Sequence, residues 1–295
     1  MNTSDYVVVA TAKNGHILAY ATTTKGITGE LAQRHDTWPV ATAALGRVVS
    51  VAAMLFATLK DTKHQITLQV QGGGPLGTLL VVVTGEGLIR GYVTEPHVDL
   101  PLNQKGKLPV GEAVGNNGSL YVIKDLGLRE PYRGSVPLVS GEIGEDFTYY
   151  FTASEQQPSA VAVGVLVGTD LSVLASGGVI VQLLPGASEA DIADAEKALQ
   201  ALPQVSSLLH EGITPEGILE RLFSGDVKIL ERTPVEFRCT CNKPRLASVL
   251  VSLGQVELDQ MIQEDNGAEL VCHFCSEKYY FNKEELIELK EQAIR

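Results

Sequence analysis

The four cysteines of this 295-residue chain all lie in its last quarter, as Cys239-Thr-Cys241 and, thirty residues later, Cys272-His-Phe-Cys275. The 238 residues before them contain none, so the clustering needs a chemical cause. Two close thiol pairs separated by a loop suit tetrahedral zinc: each short turn aims two sulfurs at one point, and the loop carries the second turn opposite the first. The candidate metal ligands are therefore Cys239, Cys241, Cys272 and Cys275. With a single residue between them, Cys239 and Cys241 can either share a metal or join to each other. A thioredoxin-like motif would use Cys272 and Cys275 alone at a helix start and would leave Cys239 and Cys241 unexplained. Permanent disulfides need an oxidising compartment. The opening Met-Asn-Thr-Ser-Asp-Tyr has neither the basic start nor the apolar run of a secretory leader, which makes a cytoplasmic location the expectation. His273 reads as a bystander, because the middle residues of such a knuckle point outward.

The elements around the cysteines are small. Residues 268–281 read as a hairpin with Cys272 and Cys275 in its turn, and Leu246, Val249, Leu250 and Leu253 as one helix face. Asn282 with Glu285 is a cap for a last helix carrying Leu286, Ile287 and Leu289. A terminal domain of residues 232–295 has too few apolar residues to be stable on its own. Structural zinc contributes roughly 10 to 16 kcal/mol in small finger peptides, so loss of the metal should unfold this part. Arg238, Lys243, Arg245 and Lys278 flank the cysteines and are expected to temper their negative charge.

Upstream, the chain reads as a large α+β domain, residues 1–185. Apolar alternation in Tyr6–Ala10 and His16–Ala21, joined by Lys13-Asn14-Gly15, is a hairpin signal. Gly29–His35 reads as a helix ended by Asp36-Thr-Trp-Pro39, and Pro39 opens a second helix to about Leu59. That helix is apolar on nearly every side, so it belongs between two sheets in a layered core, with Arg47 held by a carboxylate or reaching out of the core on its stem. Its most apolar run, Val48–Leu59, is short of the roughly twenty residues a membrane span requires. Gly72, Gly74 and Gly77 fit the dinucleotide-loop spacing. The following Thr78–Thr84 is β-branched and reads as a strand, so the glycines mark a tight turn rather than a phosphate cradle. Residues 95–118 look like a surface excursion, with strands at 119–123, 136–139, 160–167 and 178–184 and a helix from Gly144. Asp36 beside His35 reads as a turn-former, and no nucleophile, base and orienting group come together in this domain, so an enzyme is not expected.

Composition changes after Pro185-Gly186 into a helical linker, residues 186–231. Ser188 caps a helix with the stripe Ile192, Ala195, Leu199 and Leu202, and Thr214-Pro215 starts another that exposes Ile218, Leu219, Leu222 and Phe223 on one side. Helices this short must lean on something. The net charge is −12, and the tail from Arg232 onward carries eight Lys and Arg against eleven Asp and Glu. Such a surface repels phosphate backbones, which weighs against nucleic acid as a partner.

With those residues in view, the chain resembles the redox-regulated holdase chaperones, the thirty-three-kilodalton heat-shock protein family. The resemblance runs along essentially the full length. It rests on the Cys239-x-Cys241 and Cys272-x-x-Cys275 pairs and on His35-Asp-Thr-Trp-Pro-Val-Ala-Thr-Ala-Ala-Leu-Gly-Arg47. Lys124-Asp-Leu-Gly-Leu-Arg-Glu-Pro-Tyr132, Val139-Ser-Gly-Glu-Ile-Gly-Glu-Asp146, Ser154-Glu-Gln-Gln-Pro-Ser-Ala160 and Gly178-Val-Ile-Val-Gln-Leu-Leu-Pro-Gly186 extend it. It implies an N-terminal β/α/β substrate-binding and dimerisation domain, a linker, and a zinc redox switch holding one Zn2+ per reduced chain. It also implies disulfides Cys239–Cys241 and Cys272–Cys275 on oxidation, zinc release, a homodimer and ATP-independent holding of unfolded proteins. The exposed surface would then include Leu199, Leu202, Ile218, Leu219, Leu222 and Phe223 as client-binding candidates. Rival classes are a zinc-containing nucleic-acid or ribosome-binding module, a thiol oxidoreductase, and a purely structural metal that never switches.

Overall fold

Alternating apolar residues near the start of the chain form two paired strands. In the computed structural model, which describes residues 4–293, β1 (Tyr6–Ala12) and β2 (Ile17–Thr23) run antiparallel, with Tyr6 opposite Thr23 and Ala12 opposite Ile17. Asn14 and Gly15 in the turn have φ of 54° and 88°, a region these two residue types tolerate. Successive side chains point to opposite faces. Val7 and Tyr20 therefore enter one core while Val8, Ala10, Ala19 and Ala21 enter another, and both faces of the sheet are covered.

The chain divides into two compact units, Met1–Arg238 and Cys239–Arg295. In the first, α1 (Lys25–His35) and α2 (Pro39–Phe56) precede β3 (Gln65–Gln71), β4 (Thr78–Thr84) and β5 (Leu88–Val93). Then come α3 (Val110–Val114), β6 (Ser119–Asp125), β7 (Tyr132–Pro137), α4 (Gly144–Ala153), β8 (Ser159–Val167) and β9 (Val173–Leu183). The linker region forms α5 (Glu189–Ala201), α6 (Val205–His210) and α7 (Pro215–Leu222), followed by β10 (Val227–Pro234) and β11 (Glu236–Phe237). Among the described residues one sheet has the order β10-β1-β2-β9-β8 and the other β11-β5-β4-β3-β6-β7.

Helix α2 lies between the two sheets, against β8 and β9 of one and β3, β4 and β5 of the other. At 18 residues it is apolar and long enough to cross a membrane, yet 89% of it is buried within the protein, so its apolarity serves the core. Arg47 has the partner carboxylate expected of it: Nη1 donates to Glu142 Oε2 at 2.6 Å and to the Glu142 carbonyl at 3.0 Å. The Gly72–Gly77 turn hands over to β4, not to a helix. A Cβ on Gly72 would lie 2.2 Å from the Gly115 carbonyl oxygen, and one on Gly74 would lie 2.5 Å from that of Ala113. These glycines let two stretches of backbone touch. The 95–118 excursion is less open than expected, because it contains α3, whose Val110, Ala113 and Val114 are buried.

Asp5 is buried beneath the start of α1, where it accepts hydrogen bonds from the Gly26 and Ile27 N–H groups at 3.1 and 2.6 Å. Burial pushes its carboxyl up to about 6, although those amide donors pull the other way. The folded protein thus holds this proton more tightly than the unfolded chain, whose aspartates titrate near about 3.9. The associated stability is fully present below about pH 4 and is lost as the pH rises through about 6, on the order of 3 kcal/mol in all. Urea midpoints of the wild type and of Asp5→Asn between pH 4 and 7 check this: the pH slope should flatten in the variant, and an unchanged slope would refute the assignment.

The linker helices do lean on something. Ala195, Val205, Leu208, Ile218, Leu219, Leu222 and Phe223 pack on the outer face of the first sheet, against Tyr6, Val8, Ala10, Ala19, Ala21, Val179 and Val181. Helix α6 has no sequence expectation behind it, since six residues after Pro203 are too few to show a period. Residues 227–231, expected as the end of the helical linker, and 232–234, expected in the terminal domain, are neither. They form β10 alongside β1, with Tyr6 opposite Pro234, and β11 then pairs with β5. The second unit consequently begins at Cys239 rather than at 232.

That unit comprises α8 (Lys243–Leu253), α9 (Gln255–Gln260) with a π turn over Met261–Asp265, the hairpin β12 (Gly267–Val271) and β13 (Lys278–Asn282), and α10 (Lys283–Gln292). Its buried apolar core is Leu250, Leu258, Ile262, Phe281, Leu286 and Leu289. Three expected core residues lie outside it: Val249, Leu253 and Ile287 are 47%, 48% and 42% exposed. The buried stripe of α8 runs through Leu246, Ala247, Leu250 and Val251 instead, because α9 and α10 pack on that side.

Candidate metal centre

Two local devices build the centre. Asn242 caps α8, its Oδ1 accepting from the Arg245 N–H at 2.9 Å, and Pro244 fits the first helical turn. The cap fixes the chain just after Cys239-Thr-Cys241. Across the hairpin, Val271 pairs with Lys278, and the Cys272 N–H donates to the Glu277 carbonyl at 2.9 Å. Within the turn, the Ser276 and Cys275 N–H groups donate back to the Cys272 carbonyl at 2.8 and 3.3 Å, with Ser276 at φ 58°. This closed turn places the Cys272 and Cys275 sulfurs on one side.

The four Sγ atoms lie within 4.8 Å of one another, with Cys241 and Cys275 at 3.3 Å and Cys239 and Cys272 at 3.7 Å. A tetrahedral zinc with bonds of about 2.3 Å sets sulfurs about 3.8 Å apart, so the cluster fits one such ion. Among the described residues this is the one group of His, Cys, Asp and Glu side chains placed to share an ion. Cys272 and Cys275 are buried, while Cys239 and Cys241 are half-buried. His273 is exposed and outside the cluster, as expected of a bystander.

Crowding makes these thiols unequal. Burial pushes the Cys239 thiol up, and burial with the neighbouring sulfurs pushes Cys275 well above the ordinary thiol range. Burial acts the same way on Cys241. There, however, hydrogen bonds from Tyr279 and the other three sulfurs outweigh it and leave the thiol below its usual value. Four thiolates in so small a volume need a compensating cation, and four soft sulfur donors suit zinc.

The expected tempering by flanking cations needs correction. Lys243 Nζ pairs with Glu285 at 2.5 Å, Lys278 with Glu269 at 3.0 Å, and Arg238 with Glu236 at 2.7 Å, so each is already neutralised by a carboxylate. Arg245 keeps to the first turn, its Nη1 3.4 Å from Thr240 Oγ1. Tyr279 does reach a sulfur: its hydroxyl lies 3.3 Å from Cys241 Sγ. Its contact with Cys241 also holds the phenol proton, raising the Tyr279 pKa. Sequence reasoning passed over Tyr279, although the alternation of Lys278-Tyr-Tyr-Phe281 in a strand signals that Tyr279 and Phe281 share a face.

In the first unit, Ile218, Leu219, Leu222 and Phe223 are buried against the sheet, and Leu199 and Leu202 are partly buried beside them. The six residues named from the sequence as client contacts are thus brought together on one covered surface.

Comparison with known proteins bears on the whole chain. The family model described as Hsp33 protein matches residues 5–282. The 33 kDa chaperonin of Geobacillus sp. (strain WCH70) is 50% identical over 291 residues, covering 98% of both chains. That of Halalkalibacterium halodurans is 53% identical, covering 98% of this chain and 99% of its own. The crystal structure of the 33 kDa chaperonin from Thermotoga maritima superposes with a TM-score of 0.93 at 36% identity, covering 99% of each chain.

Proposed function

This chain belongs to the Hsp33 family of chaperones, and from that premise we propose that it is a redox-regulated holdase, idle when reduced and holding unfolded proteins without ATP once its cysteines are oxidised. In the reduced form Cys239, Cys241, Cys272 and Cys275 hold one zinc ion, whose charge keeps four thiolates together. The observation that carries the reading is this cluster of sulfurs in a unit whose buried core is six apolar side chains. Hydrogen peroxide removes two electrons from a thiolate pair: one sulfur attacks a peroxide oxygen, the O–O bond breaks and releases hydroxide, and the second sulfur displaces the hydroxyl from the new sulfenic acid to close a disulfide, both hydroxides taking protons from solvent to leave as water. Each disulfide removes two ligands, so the binding energy that ordered the unit is lost.

We assign the disulfides to Cys239 with Cys241 and Cys272 with Cys275. In the folded cluster Cys239 contacts Cys272 and Cys241 contacts Cys275, across the assigned pairs, so the assignment is favoured once the unit loosens. In a loosened chain, neighbours in sequence close the shortest loops and lose the least entropy. Peptide mapping of the oxidised protein checks this, and a dominant Cys241–Cys275 bond would refute it. The client surface comprises Leu199, Leu202, Ile218, Leu219, Leu222 and Phe223 with the sheet face they cover. The oxidised protein forms a homodimer, and the reduced form belongs to a reducing cytoplasm that meets oxidative stress. Nucleic acid and membrane are not partners in this reading, consistent with a net charge of −12.

The decisive experiment titrates peroxide at raised temperature while following zinc release and the suppression of aggregation of an unfolded test protein. The two should rise together. Zinc release with no gain in holding would leave the metal purely structural.

A further inference from the structure

Helix α7 meets the first sheet through an apolar face, and burial alone has no direction, so it does not fix where along the sheet the helix sits. Glu216, in the first turn of α7, adds direction. Its Oε2 accepts a hydrogen bond from the Tyr6 hydroxyl at 2.9 Å, while its Oε1 lies 3.8 Å from Arg232 Nε. Arg232 in turn covers the Tyr6 ring, its Cζ 3.8 Å from the ring centroid. Strand register explains the meeting: Arg232 of β10 stands opposite Val8 of β1, so both project to the face on which α7 packs, and Tyr6 is the neighbouring residue of β1 on that face. Burial, and then the Glu216 carboxylate, push the Tyr6 phenol up to about 12, so at neutral pH it keeps its proton and remains a donor.

One half-buried carboxylate thus joins α7, β1 and β10. Strand β10 is the least secured of the three. None of its residues is buried, and it lies at an edge of the sheet, held by its ladder to β1. It is also the stretch of chain that leads from α7 to β11, after which the second unit begins. We infer that Tyr6, Glu216 and Arg232 form a polar joint that couples the docking of α7 to the pairing of β10 with β1. While β10 is paired, Arg232 offsets the charge of Glu216. When β10 peels away, that carboxylate loses its cation, and a half-buried charge without a partner disfavours docking. The coupling is reciprocal, so undocking of α7 loosens β10 by the same factor. The inference deepens the proposed release of the linker by giving it a route along the chain, from the start of the second unit through β10 to α7.

The test is hydrogen exchange in the full-length, reduced, zinc-loaded protein, read separately at α7 and β10. Arg232→Met, a change on β10, should lower protection across α7 by about two- to fivefold, and Glu216→Ala, a change on α7, should lower it across β10 by a similar factor. The double variant should lose no more than the larger single loss. Tyr6→Phe keeps the ring and removes the donor, and should lower protection of α7 by roughly tenfold, the worth of one hydrogen bond to a charged group. Lys228→Met, on β10 but opposite Thr11 and away from the joint, should leave α7 as in the wild type. Losses confined to the element that carries the substitution overturn the inference, as do single losses that add in the double variant or an α7 unchanged in Tyr6→Phe. Arg232 is 61% exposed, so its replacement leaves the core in place and the result readable. Failure of the holdase reading shows elsewhere, as absent suppression of aggregation, and leaves these exchange rates untouched.

Discussion

Replacing Cys272 with serine is expected to unfold residues 239–293 while leaving strands β1–β9 of the first unit intact. Cys272 is the sulfur whose backbone organises the knuckle: its carbonyl accepts from Cys275 and Ser276, and its N–H donates to Glu277. A serine would preserve those backbone bonds and remove only one thiolate, so the variant isolates the metal's contribution. Six buried apolar residues cannot order a unit of this size by themselves. Structural zinc supplies roughly 10 to 16 kcal/mol in comparable small domains, far more than the few kcal/mol by which small folds are stable. Hydrogen exchange should show β12, β13 and α10 losing protection by several orders of magnitude, with β1–β9 unchanged. A strong chelator should do the same to the wild type. Protection retained in the serine variant would mean that the apolar core and its caps, such as Asn282 with Glu285, suffice without the metal.

Shortening Leu219 to alanine is expected to switch on client holding in the reduced, zinc-bound protein. Leu219 is fully buried between α7 and the first sheet, where truncation of a leucine costs about 2 to 5 kcal/mol through lost burial and the cavity left behind. Helix α7 has eight residues and no independent stability, so a loss of that size falls on its docking. A population of molecules with α5–α7 detached would then expose Tyr6, Val8, Ala10, Ala19 and Ala21 together with the helices' own apolar faces. Phe223→Ala should act alike, and Val249→Ala, at a site 47% exposed, should act not at all. The readout is aggregation of an unfolded test protein in the presence of reductant and zinc, beside hydrogen exchange across residues 188–224. Lost protection there with no holding activity would separate the linker from client binding.

Much of this is legible in the sequence, for identifiable reasons. Cysteine is rare and its pairwise spacing is local, so two short turns announced a shared site. Asn14-Gly15, Ser188 with Asp191, Thr214-Pro215 and Asn282 with Glu285 each satisfy backbone groups within a few residues, so they formed where their sequence indicated. An all-round apolar helix from Pro39 implied cover on both sides and received it from two sheets. Where a feature depends on partners distant in sequence, the reading failed. The exposed faces of α8 and α10, the assignment of 227–234 to a sheet edge, and the pairing of Lys243, Lys278 and Arg238 with carboxylates all follow from which elements meet.

The residue pattern alone pointed to the clustering of the four cysteines, the α+β layering and the apolar stripes of the linker, because cysteine spacing, capping and periodicity are encoded over a handful of residues. Only the folded chain decided that Tyr279 touches a sulfur while Tyr280 does not, and that Ile218, Leu219, Leu222 and Phe223 are covered by β1, β2 and β9. Such contacts join residues far apart in the sequence. They exist only once burial and strand register have brought those residues together, and no local spacing encodes them.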